Sequence, residues 1–193
     1  METQLINDKK QFLESAVTWG LLYGLFVIAY TTIFNVIEFY PVTIKGLMVR
    51  NILVATGVAI FVSVYSLKKY RDTKLNGIIG YGHALLFGIA MFVVGAIVTS
   101  LFDLIWISVI DPSLYEKIAN SMMEYYQGFP GISEAQLTEL EGKAEDVRKL
   151  AQSPFLNFIK STGSMALLGS ILTLIVAAIV KRSEVPFSQE EIK

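Results

Sequence analysis

The 193-residue sequence has no cysteine and a single histidine, His83. The first absence excludes disulfides, thiolate metal sites and cysteine nucleophiles, and it leaves the redox compartment open. The second excludes a multi-histidine metal site. Charge is also scarce. Acidic and basic residues make up 17% of the chain, below the quarter or so of a soluble domain. A net charge of −1 provides no basic stripe for nucleic acid. There is no Gly-x-Ser-x-Gly elbow, no Walker loop and no carboxylate pair within an apolar run. These absences predict a non-enzymatic protein with no cofactor, no metal and no nucleic-acid partner.

What the sequence has is apolar length. Apolar residues make up 53% and mean hydropathy is +0.54. Crossing a hydrocarbon core takes about 20 residues of helix, and four blocks meet that length: residues 15–37, 47–67, 84–107 and 154–180. They are apolar all round, which a soluble amphipathic helix is not. Strand-like alternation is missing, against a β-barrel. The first block is too long for a cleaved signal peptide and reads as an uncleaved anchor. The expectation is an all-α integral membrane four-helix bundle, one domain over 1–193, with membrane lipid around it.

Basic residues near span ends set orientation. Lys9 and Lys10, then Lys68, Lys69, Arg71 and Lys74, then Lys181 and Arg182 all fall on one side; Lys45, Arg50 and Lys160 fall on the other. Both termini are therefore expected to be cytoplasmic, with loop 108–153 outside. Phe39, Tyr40, Trp106, Tyr115 and Phe155 are expected to anchor the outer interface, and Trp19, Tyr65, Tyr70 and Tyr81 the inner one. His83 reads as interfacial.

The connections carry turn chemistry. Asn76-Gly77 marks a turn. The run Gly77-x-x-Gly80-x-Gly82 lacks the preceding strand that a dinucleotide site requires. Loop 108–153 predicts a helical hairpin between spans three and four. Asp111-Pro112 is the expected start of its first helix, with Leu114, Ile118, Met122 and Tyr125 on one face. Ser133 with Gln136 predicts a capping box opening the second helix. Its stripe is Leu137, Leu140, Ala144, Val147 and Ala151, with Glu139–Lys143 and Glu145–Lys149 as supporting pairs. Ser153-Pro154 is expected to cap the fourth span. The hairpin's apolar faces either pack on each other and the bundle or offer a partner-docking surface.

Within the spans, small residues predict close helix contact: Gly20/Gly24, Ala84/Gly88, Ala55/Ala59 and Ala166/Ser170. Asp103 is the ionisable residue of the third span, and such a group at membrane depth prompts a functional hypothesis. Asn35, Glu38, Arg50 and Asn51 are expected at a similar height, so a polar cluster with Asp103 is allowed. It would serve either as an interhelical ion pair or as an outward-facing ion or proton site. The stretch Thr31–Ile37 also resembles Thr99–Ile105 without a gap, by duplication or by chance.

Lys69-Tyr70-Arg71-Asp72, the Gly77–Gly82 run leading to Ala84-Leu85, and Ile110-Asp111-Pro112 resemble a family of uncharacterised bacterial membrane proteins of Bacteroidota type, a domain of unknown function. The resemblance covers most of the chain. It departs at His83, where the family pattern has Gln or Glu. It implies the membrane fold and no activity. The leading functional expectation is an inner-membrane protein whose outer loop 108–153 binds or regulates a protein partner. The rival is a small transporter or channel subunit using the polar cluster, in which a homodimer would build the path.

Overall fold

The computed structural model describes residues 2–37, 56–128 and 131–182, with side chains from Asp8 onward. These residues are helical: α1 (Glu2–Val36), α2 (Gly57–Lys74), α3 (Tyr81–Ile105), α4 (Leu114–Gln127), α5 (Glu134–Gln152) and α6 (Pro154–Val180). Three stretches are long and apolar enough to cross a membrane: Asp8–Val36, Tyr81–Ile110 and Pro154–Val180. The expected second span lies partly outside the described residues. Its described part belongs to α2, which runs on past Leu67 to Lys74. Helix α1 starts well before Ser15, because no proline or glycine in the mixed-charge head stops it.

Helix α3 is the centre of the bundle, held between α1 and α6. Glycines set both contacts. A Cβ on Gly20 would lie 2.6 Å from the Met91 carbonyl oxygen, and one on Gly24 would lie 3.1 Å from Val98. On the other side Gly88 receives Thr173, and Gly169 receives the Phe92 ring. Hydrocarbon gives helices no hydrophobic drive to associate, so this backbone approach supplies the dispersion contact that holds them. Phe87, Met91, Phe92, Val176 and Val180 are fully buried here, together with Leu67 of α2. Leu25, Leu168 and Ile175 point outward and are 57–62% exposed, as chains facing lipid would be.

The Asn76-Gly77 turn closes α2 with both residues in the left-handed region, at φ 52° and 85°. The Gly77 amide reaches back to the Arg71 carbonyl at 3.0 Å, which also accepts from the Leu75 amide at 3.1 Å, so the last turn is closed by its own backbone. Ile79 then pairs in antiparallel fashion with Arg182 through two backbone bonds of 3.0 and 3.1 Å. The Arg71 guanidinium donates to the Val180 carbonyl at 3.1 Å and is held by Asp72. The start of α1, the 75–80 turn and the end of α6 thus share one end of the bundle. Phe12 packs edge-on against Tyr70, His83 and Phe87 there.

At the opposite end α3 widens into a π turn, Trp106–Ile110, closed by the Asp111 amide on the Trp106 carbonyl at 2.8 Å. Pro112 then prevents further helix. The next helix begins at Leu114 with Ser113 at its cap, two residues after the expected Asp111. The Asp111 carboxylate instead accepts from the Ser113 amide and hydroxyl and from Lys117. The Ser133–Gln136 capping box is formed, and Glu139–Lys143 pairs at 2.7 Å. Glu145 pairs with Arg148 and Lys149 with Asp146, so the expected Glu145–Lys149 pair is not made. Ser153 joins α5 to α6 without a side-chain cap bond. Helices α4 and α5 pack against each other and bury Ala119 and Ala144, while Leu114 is buried with Trp106 and Ile107 of the π turn.

Two expected interface anchors are packed instead. Trp106 is 8% exposed against Phe102, and Tyr70 is 3% exposed, stacked on Phe87. Tyr65, Tyr81 and Phe155 are exposed. Phe39 and Tyr40 lie outside the described residues.

Candidate functional site

The contact between α3 and α6 is apolar near the Arg71 end and polar near the hairpin. Its register is constant: Gly88 faces Thr173, Phe92 faces Gly169, and Ser100 faces Ser161. The two helices therefore run antiparallel, with Thr99 level with Thr162 and Asp103 level with Phe158, next to Asn157. On α3, Ser100 and Asp103 are spaced i,i+3; on α6, Asn157 and Ser161 are spaced i,i+4. Each spacing puts a pair of polar groups on one helix face.

Ser161 donates to the Ser100 hydroxyl at 3.0 Å, and Ser100 is fully buried. One turn further out, Asn157 donates through Nδ2 to the Tyr115 hydroxyl, which α4 brings over the seam. The Tyr115 phenol is pushed above its ordinary value, chiefly by burial. The Asn157 hydrogen bond opposes that rise and the Asp103 carboxylate adds to it.

Three polar atoms on this seam or beside it are buried without a hydrogen-bond partner among the described residues: Thr99 Oγ1, Thr162 Oγ1 and Trp106 Nε1. Burying an unpaired polar group costs on the order of 1–3 kcal/mol, so three within about two turns is a concentrated cost. A water molecule or ion with polar ligands would relieve it. Among the described residues no cation pairs with Asp103. No group of three or more acidic or histidine side chains there could hold a metal ion. The seam offers one carboxylate, several hydroxyls, an amide and an indole N–H, a set able to hold a proton, a water or a weakly bound monovalent cation.

Of the polar cluster expected from sequence, Glu38, Arg50 and Asn51 lie outside the described residues. Asn35 is half-buried and is not level with Asp103. The parallel register of α1 and α3, Gly20 by Val94 and Gly24 by Val98, puts Asp103 near the height of Ala29 and Tyr30. Asn35 lies roughly a turn and a half further along, about 8 Å. Thr99, Ser100, Asn157, Ser161 and Thr162 were not singled out in the sequence, although their spacing within apolar runs carries the signal.

Among the residues expected at helix contacts, Gly20, Gly24 and Gly88 sit at the approaches already described, and Ala84 is fully buried. Ala166 is half-buried, and Ser170 donates to its carbonyl within α6 at 2.7 Å. Ala55 lies outside the described residues. His83 is exposed, with Nε2 3.1 Å from the Tyr70 hydroxyl.

Neither the curated proteins nor the solved structures contain a match to this sequence. Residues 18–182 match the family described as protein of unknown function (DUF4199), and with three membrane-compatible helices and most of its length in the match, the chain belongs to that family.

Proposed function

We propose that this chain is a non-enzymatic, multi-pass membrane protein of the bacterial inner membrane, acting as a small transporter or channel subunit for a proton or monovalent cation. Four spans cross the bilayer, with residues 47–67 as the second. Both termini are cytoplasmic, and the α4–α5 hairpin covers the outer mouth. The observation that carries the reading is the polar seam of α3 and α6, where, among the described residues, Asp103 has no cation partner and three buried polar atoms have no hydrogen-bond partner. A seam built only for packing would pair those groups. The alternative, a hairpin that docks a protein partner, has less support, because α4 and α5 pack on each other and Leu114 packs on the π turn, which uses up much of their apolar surface. Two copies in a homodimer would supply enough helices to enclose a path.

The test is flux into liposomes that contain the purified full chain, read with a pH-sensitive dye and with sodium- and potassium-sensitive dyes. Wild type should dissipate an imposed gradient, and Asp103→Asn should abolish the flux while keeping the helical circular dichroism and melting of wild type. No flux from wild type would end the transport reading, and equal flux from both proteins would remove Asp103 from the path.

A further inference from the structure

We propose a binding site for an anionic phospholipid in the groove between α1 and α2, at the end of the bundle opposite Asp103. The groove encloses about 280 Å³ and is lined by Glu14, Ser15, Thr18, Trp19, Lys69, Tyr70, Thr73 and Lys74. The Lys69 ammonium lies 5.8 Å from the Trp19 ring centre and 5.9 Å from that of Tyr65. The two rings meet edge-to-face at 5.5 Å. Aromatic faces attract a cation at that range, so Lys69 is held at the groove with its N–H groups available.

The charge balance at this end favours an anion. Glu14, the carboxylate in the groove, pairs with Lys10 at 3.8 Å, and Asp72 is taken by Arg71 at 2.7 Å. Among the described residues no acid pairs with Lys69 or Lys74. Two ammonium groups and the Ser15, Thr18 and Thr73 hydroxyls therefore surround a space whose lining carboxylate, Glu14, is shared with Lys10; the Thr18 and Thr73 hydroxyls also donate to carbonyls of their own helices.

The occupant is a lipid and not a free anion because the groove continues into an apolar track. Phe61, Tyr65, Lys69 and Thr73 follow one another at i,i+4 along α2 and so lie in one row. Phe61 is 70% exposed and stacks on Tyr65, which is 49% exposed. An acyl chain lying along Phe61 and Tyr65 delivers its phosphate to Lys69 and Lys74. Basic pockets between membrane helices recognise anionic headgroups in this way.

Native mass spectrometry of the detergent-purified full chain tests the site with dioleoyl-phosphatidylglycerol and dioleoyl-phosphatidylcholine as probes. Phosphatidylglycerol should be retained in preference to phosphatidylcholine. Lys69→Ala with Lys74→Ala should weaken that retention roughly ten- to thirtyfold. Lys68→Ala, on the same helix but outside the groove, should leave it unchanged. Equal retention of both lipids, an equal loss in Lys68→Ala, or displacement by inorganic phosphate would overturn the proposal. If the double variant fails to fold, Trp19 is read instead in a Trp106→Phe background, where it is the sole tryptophan of the two. Headgroup-spin-labelled phosphatidylglycerol should quench it more than the phosphatidylcholine equivalent, and equal quenching is the negative result.

Discussion

Asn157, near the start of α6, donates a hydrogen bond to the hydroxyl of Tyr115 on α4, and so ties the outer hairpin to the helix pair beneath it. Tyr115→Phe deletes the acceptor and leaves the half-buried Asn157 amide to find another. The expected loss is about 1 kcal/mol, read as lower thermal stability in detergent, with faster amide exchange at the start of α4. If the hairpin is held only by its apolar contacts, neither readout will move.

Gly169 and Gly142 separate packing from propensity. A methyl group at Gly169 would run into the buried Phe92 ring, so Gly169→Ala should cost about 1–3 kcal/mol. Gly142 lies within α5 with open space where its Cβ would be. Gly142→Ala should therefore stabilise the hairpin by about 0.5–1 kcal/mol. Melting curves of the two variants should shift in opposite directions, and a common direction would contradict the packing described here.

Asp111 gives the hairpin a pH dependence. Its carboxylate is held below the ordinary 3.8, first by the Ser113 hydroxyl and also by Lys117. The folded state thus favours the charged form, and the stabilisation is complete above the unfolded value of 3.8. It is lost as pH falls through the lower folded value. Lys117 is partly exposed, so solvent screening keeps the gain to less than about 1 kcal/mol. Hydrogen exchange in α4 should show Asp111→Asn less protected than wild type at neutral pH, with the gap closing below about pH 4. A gap that widens on acidification would reverse the assignment.

How much of this could be read from residues alone depends on which force sets each feature. Apolar run length is local, so the three membrane-compatible helices were legible, as was the Ser133–Gln136 box, whose chemistry spans one turn. Helix register is not local. It follows from which glycine meets which side chain, such as Gly88 with Thr173, and hydropathy does not encode that. Asp103 can therefore be singled out by its charge, while its place on one seam with Asn157, Ser161 and Tyr115 cannot. Asn35 and Asp103 both sit late in parallel spans, and the register set by the Gly24–Val98 contact separates them. Residue type alone places Trp106 at the interface, but the π turn packs it against Leu114 of the hairpin. The shift of the α4 start from Asp111 to Ser113 reflects competition between two cap-forming residues two positions apart.

The antiparallel contact of α3 with α6 also bears on biogenesis. Because α6 follows the other described helices in the chain, the side of α3 that carries Gly88 and Ser100 has no native cover until Pro154–Val180 has been made. The nascent chain must wait in the translocon or in lipid with Ser100 and Asp103 unsheltered, and a ribosome that stalls before Pro154 would leave a half-made bundle exposed to membrane quality-control proteases.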